Sequence, residues 1–456
     1  MLSATAQAAP AAAPADDLRV TQNRLAEEHV YLAGAAIAAA LGGRQDEFKI
    51  AAKYADMNGE EIGKGIGAVY GSDAEAKFLS LWRAHIGFFV DYAMGAAAKD
   101  EAKKQQAKRD LDGYRQDIDA LLTGANPNLP KGSVAKVFEA HAALLTGAID
   151  ALAAGDTDKG YSLLHDAAHQ TQDIADALSG AIVKQFPDKF PGAVMSPAAD
   201  LRVAQNRLSL EHVYLSGYAL NAAIAGRQDE FKVAAKYADI NGQEIAKGIE
   251  GVYGAEASQK FLALWRAHIG FFADYAMAAV AKDEANKQQA LNDLTGYRQD
   301  LDDLLTGANP NLPKGAVAQV FVPHVEHLTG AIDALAAGDV DKGYMMLHEA
   351  GHQTQEIADA LAGAIAKQFP DKFPMGASQP AAARPSAPAA AAPAPAAKPA
   401  ASAPSAQAPA AQPTMQMPSA LPRAGEAAPP IFPAAAAALL GLALLGGGVL
   451  VTRARR

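Results

Sequence analysis

Cysteine is absent from this 456-residue chain. Its absence removes disulfides, thiolate metal sites, c-type haem attachment and cysteine nucleophiles, so any bound metal must be held by nitrogen and oxygen. Positive charge is also in deficit, with 40 Lys and Arg against 50 Asp and Glu and a formal net charge of -10. No basic stripe interleaved with aromatics is present, which argues against nucleic acid as a partner. The chain lacks G-x-S-x-G, a P-loop, G-x-G-x-x-G and H-E-x-x-H, and no serine falls on a strained turn, so no enzyme class is indicated. Stretches alternating with period two are missing as well, which weighs against β-strands.

What is present is a duplication. Shifting the sequence by 183 residues lays 17–192 on 200–375 without a gap, matching DLRV, LWRAHIGFF and TGANPNLPKG to themselves. A period this long means two whole domains rather than solenoid units. Only AVMSPAA joins the copies, so they are expected to touch. Apolar residues recur at three and four, and in copy one the spacing predicts helices near 17–41, 45–70, 73–99, 101–123, 131–154 and 157–186. NPNLPKG breaks the pattern at two prolines, and AAGD supplies a glycine stop followed by an aspartate cap. The expectation is all-α: two tandem antiparallel bundles of about six helices each.

The two ends point to the cell envelope. Residues 1–16 have the small residues and A-x-A pattern of the last part of a signal peptide. Residues 376–430 are mainly Ala, Pro and Ser, a composition expected to form an extended stalk. Residues 431–452 form an uncharged run long enough for a transmembrane helix, and the basic tail 453–456 favours the cytoplasmic side. The chain before it is then expected on the extracellular face. LPRAG at 421–425, followed by an apolar segment and arginines, resembles the Gram-positive cell-wall sorting signal. That resemblance implies attachment to peptidoglycan by a sortase, although Ala424 stands where the family has threonine.

All eleven histidines lie in the duplicated halves. Ten are matched pairs: His29 with His212, His85 with His268, His141 with His324, His165 with His348, and His169 with His352. His165 and His169 are one helical turn apart, and the five in each copy fall at similar depths along their helices, within apolar stripes. Five imidazoles in one inward-facing layer would repel if charged and lack partners if neutral; a metal ion answers both difficulties. All ten are therefore candidate ligands for a transition metal, with Glu28, Asp91, Asp173, Glu211, Asp274 and Glu356 as candidate carboxylate ligands or orienting groups. The absence of cysteine, and the distance of Met94 and Met277 from the histidines, weigh against Cu(I) and leave Zn(II), Cu(II) and iron. The inventory also resembles that of hemerythrin-like di-iron proteins, which bind oxygen or nitric oxide, but only the H-x-x-x-H spacing is shared.

EEHVYLAG, LWRAHIGFFVDY, ANPNLPKG and HDAAHQTQDIADAL together resemble a family of secreted bacterial helical proteins often named copper amine oxidase-like. The resemblance spans both repeats and implies a helical, exported protein whose name points to copper. The oxidase part of that name has no counterpart here, because no N-Y-D/E motif for a tyrosine-derived quinone occurs. The sequence thus predicts an envelope-anchored protein that binds, buffers or scavenges copper, zinc or iron. The competing expectation is an adhesive or structural surface protein whose histidines fill the core.

Overall fold

A computed structural model describes residues 13–374, and every regular element among them is a helix. The first repeat forms α1 (Pro14–Leu41), α2 (Gln45–Tyr70), α3 (Ser72–Ala98), α4 (Glu101–Ala125), α5 (Ser133–Ala153) and α6 (Thr157–Gln185). The second forms α7 (Pro197–Ile224), α8 (Gln228–Tyr253), α9 (Ala255–Ala281), α10 (Glu284–Ala308), α11 (Ala316–Val320), α12 (Val322–Ala336) and α13 (Val340–Gln368). The extra segment arises because α11 and α12 share the stretch that is the single helix α5 in the first repeat. Pro323 stands where the first repeat has Ala140, and a proline brings no N–H for the carbonyl four residues back.

The expected stalk, sorting signal, transmembrane segment and basic tail, and most of the signal-peptide remnant, lie outside the described residues. Among the described residues no helix is long and apolar enough to cross a membrane.

Local chemistry sets the helix ends. Asp156 accepts a hydrogen bond from the Lys159 amide and Asp339 from that of Lys342, capping α6 and α13 after the glycines at 155 and 338. A longer-range cap starts α5. Asp119, buried on α4, accepts from the amides of Gly132, Val134 and Ala135 at 2.9 to 3.2 Å, and Asp302 repeats the arrangement in the second half. This fixes the turn after the proline-rich loop and so the depth at which α5 enters the bundle.

Helices α1 and α7 are the axis of the molecule. Each packs on two helices of its own repeat and on the other along its length, so α1 is buried nearly all round instead of along one stripe. One apolar cluster runs unbroken from Tyr31, Leu32, Phe48 and Leu164 into Leu210, Tyr214, Phe231 and Tyr237. Smaller clusters centre on Trp82, Tyr114 and Ile118 in one repeat and on Trp265, Tyr297 and Leu301 in the other.

Polar contacts across the junction come in exchanged pairs. Arg19 meets Asp200 at 2.7 Å while Arg202 meets Asp17 at 2.6 Å; Lys53 meets Asp341 at 2.7 Å while Lys236 meets Asp158 at 2.6 Å. Such reciprocity is the mark of an approximate twofold relation between the halves. It brings α6 against α8 and α13 against α2.

Candidate metal centres between the repeats

His165 and His169 sit on the side of α6 that turns away from its own bundle and toward α8. Their spacing places the two rings on one face, with centroids 4.2 Å apart. They meet carboxylates of the opposite repeat. The His165 Nδ1 lies 2.7 Å from Glu211 Oε1, and its Nε2 lies 3.6 Å from Glu244 Oε1. The His169 Nε2 is 3.4 Å from Glu211 Oε2 and 3.8 Å from Glu244 Oε2.

The twofold partner repeats this with the repeats exchanged. His348 Nδ1 is 2.9 Å from Glu28 Oε1 and its Nε2 is 3.7 Å from Glu61 Oε1. His352 Nε2 is 3.6 Å from Glu28 Oε2 and 3.8 Å from Glu61 Oε2. Each site therefore takes two histidines from the last helix of one repeat and two glutamates, from the first and second helices, of the other.

The inner glutamates are held rigidly. Glu28 is wholly buried and accepts from Tyr214 Oη at 2.6 Å and Asn58 Nδ2 at 3.0 Å. Glu211, equally buried, accepts from Tyr31 Oη and from Asn241 Nδ2 at 3.0 Å. Burial opposes their charge, yet hydrogen bonds and attraction from the facing histidines outweigh it and hold both carboxyls well below the ordinary range. Burial likewise opposes charge on His165, but its bonds to Glu211 and Glu244 lift it to about 10; Glu28 and Glu61 lift His348 to about 9. Each site thus demands positive charge.

Glu244 Oε2 and His352 Nε2 are buried and make no hydrogen bond. Each lies 3.6 to 3.8 Å from an oppositely charged partner, close enough for ion pairing and free to face a further group. The donor chemistry fits a metal ion. With Nδ1–H of His348 given to Glu28, its Nε2 is left for coordination, the usual way a carboxylate fixes a ligating imidazole. Single donor atoms of Glu28, His348 and His352, and of His165, His169 and Glu244, lie within 4.8 Å of one another.

The other six histidines form a different arrangement. His29, His85 and His141 point into the first bundle and His212, His268 and His324 into the second, none more than 4 % exposed. His29 lies 5.4 Å from His85 and 6.4 Å from His141 between ring centroids, beside Trp82 at 4.4 Å. Burial pushes His85 down to about 3 and His141 to about 4, with values of about 3 and 4 for His268 and His324. These rings are neutral.

The expected single layer of five imidazoles is thus corrected to a triad and a pair in each repeat. Similar height along the helices does not mean the same direction, and α6 and α13 turn their histidines across the junction. The five-histidine inventory of a hemerythrin-like centre is not gathered at one point. Among the carboxylates, Glu28 and Glu211 do enter the sites, but those of the opposite repeat. Asp91, Asp173, Asp274 and Glu356 lie on exposed helix faces outside both clusters, and Asp91 faces Lys103 at 3.4 Å. Glu61 and Glu244 were missed by sequence reasoning. A signal existed: both are kept by the duplication, three residues after Asn58 and Asn241 on the same helices. Glu27, a further buried acid, joins His169 and Glu211 in another possible donor group.

No protein family, curated protein or solved structure matches this chain.

Proposed function

We propose that the protein binds divalent transition-metal ions, one at each of the two inter-repeat sites, and serves to buffer or scavenge them. The observation that carries this reading is the crossed set of two histidines and two glutamates, present twice and each containing a buried donor atom without a hydrogen bond. Imidazole nitrogen with carboxylate oxygen suits Zn(II), iron or Cu(II). At the His165 site the two histidines and Glu244 would coordinate while Glu211 orients His165; at the His348 site Glu28 itself completes the group with His348 and His352. Either set leaves a fourth position open to water, as in exchangeable rather than sealed sites. The half-exposed side chains of His169, His352, Glu61 and Glu244 give the ion a route in and out.

The envelope location belongs to the same proposal and rests on the character of residues 376–456. An exported chelator raised on a stalk would meet metal before it reaches the cell.

Elemental analysis of the purified full chain tests the reading. About two ions per chain are expected, falling to one when His165 and His169 become Ala and to none when His348 and His352 are changed as well. A chain that takes up no Zn(II), Fe(II) or Cu(II) and melts identically with and without chelator would leave the clusters as ion pairs joining the repeats.

A further inference from the structure

The histidine triads are unused by the inter-repeat sites, and their chemistry differs. Each gathers three imidazoles from three helices without a carboxylate among their hydrogen-bond partners. In the second repeat His212 Nδ1 faces Ser216 Oγ at 3.2 Å, and its Nε2 lies 3.4 Å from the Nε2 of His268. Glu211 precedes His212 in sequence but turns to the junction. The Nδ1 atoms of His29, His85, His141, His268 and His324 are buried without a hydrogen bond.

Two neutral imidazoles that point the same nitrogen at each other share one hydrogen bond or one cation. Two nitrogens each about 2 Å from a common ion stand roughly 3 to 4 Å apart, depending on the angle between them. The spacing of His212 and His268 falls in that range, and His324 lies 6.0 Å from His212 between ring centroids, on the same cavity. The cavity holds about 70 Å³ and is walled mainly by apolar residues such as Trp265, Phe261 and Leu301, with Gln205, Ser209, Asn309 and Thr354 also on its lining and no carboxylate.

Charge decides which cation suits such a place. A dication among neutral rings in an apolar core keeps its double charge unless it also carries in an anion such as hydroxide, and the cost of burying charge rises steeply with its magnitude. The inter-repeat sites offset a dication with two carboxylates; the triads offer none. A monovalent ion held by two neutral nitrogen donors lowers the penalty, and copper is the imidazole-binding transition metal with a stable monovalent state.

We propose that each triad is a second class of metal site that takes Cu(I), held between His212 and His268 in the second repeat and, by the duplication, between His29 and His85 in the first. The lack of sulfur, which by composition argues against Cu(I), is outweighed by the lack of negative charge. Ser216 orients His212, and the half-buried Ile245, Ile249 and Leu361 line the way in.

The chain carries its own reporter. Its two tryptophans, Trp82 and Trp265, stand against the triads, with Trp265 4.3 Å from His212 and 4.8 Å from His268 between centroids. The test is an anaerobic titration of the full chain with Cu(I) against bicinchoninate as competing chelator, read by chelator colour and tryptophan emission together. About two equivalents withheld from the chelator are expected, with emission quenched over the same range and unchanged by Zn(II). His85→Asn combined with His268→Asn, checked for helicity by circular dichroism, is expected to abolish both signals, whereas His169→Ala with His352→Ala is expected to keep them. Wild-type protein that withholds no Cu(I), or whose emission does not respond, overturns the proposal without recourse to any variant. A response lost only in the His169 and His352 variant would place copper at the junction and overturn it equally. Zinc uptake by the inter-repeat sites is measured separately, so either reading can fail alone.

Discussion

The two inter-repeat sites share four donors and differ in what stands behind them. At the His165 site Glu27 is buried next to His169 and Glu211 and meets Arg207 at 3.3 Å, while Arg207 also donates to Gln172 Oε1 at 2.6 Å and to the Ala168 carbonyl at 3.0 Å. At the His348 site Leu210 takes the place of Glu27 and Gly351 that of Ala168. The exchange is compensated, since a Cβ on Gly351 would sit 2.9 Å from Leu210 Cδ1. Arg24, the counterpart of Arg207, keeps Nε and Nη1 without a hydrogen bond. Burial lifts Glu27 above the ordinary carboxylate range, and Arg207 opposes that rise. The comparison teaches that the donors and their tyrosine and asparagine supports were kept while the packing around them was free to change.

The largest effect is expected from removing an inner glutamate. Glu28→Ala strips the buried carboxylate from His348 and His352 and leaves Tyr214 and Asn58 without their acceptor, a change of about 3 kcal/mol or more by analogy with broken buried pairs. Denaturant unfolding measures it, and Glu211→Ala should match it at the other site. A cost confined to one of the two would mean that the sites are not equivalent in folding.

Next comes pH. In the chelated protein His165 and His348 have folded values near 10 and 9 against an ordinary 6.5, so their stabilisation is complete below about 6.5 and is lost as pH rises through those values. Glu28 and Glu211, held low, contribute above their ordinary 4.5 and lose that contribution as pH falls below it. Melting temperature without metal should therefore be highest between about 4.5 and 6.5 as far as these groups decide it. On the alkaline side both sites should release as pH rises through about 9 to 10, which proton-NMR signals from His165 and His348 would follow. Buried His85 and His268 act in the opposite sense to the raised pair: they stay neutral when folded, so protons taken up by the unfolded chain below 6.5 lower stability as pH falls.

A smaller effect tests the neighbours alone. Glu27→Leu with Ala168→Gly rebuilds the second site's surroundings at the first, and should change stability by no more than about 1.5 kcal/mol while leaving the metal load intact. Glu27→Leu without the glycine should cost more, through overpacking. Least of all, Asp91→Asn and Asp173→Asn should leave metal uptake and melting within error, since both residues lie on exposed faces outside the sites.

Much of the fold was legible from periodicity. The six helices expected in the first repeat match α1 to α6 within a few residues, because glycine and proline punctuate a sequence with no competing period. The break at Pro323 was written in the sequence and changes the second repeat only locally. The site was legible in part. His165, His169, Glu28 and their counterparts were among the candidates and do cluster, but spacing gives a residue's height and face, not the helix it meets. Glu61 therefore read as one more polar residue on α2, and the histidine pair was assigned to its own bundle. That pairing depends on how α1 packs on α7, which no local pattern encodes.

The crossed ownership of donors has a consequence for history and for engineering. A half-length chain carries the histidines of one site and the glutamates of the other, so alone it completes neither and would have to associate with a second copy of itself. Joining two copies in tandem removes that dependence on concentration. It also frees them from being identical, and the Glu27 and Leu210 positions are one place where the copies have diverged.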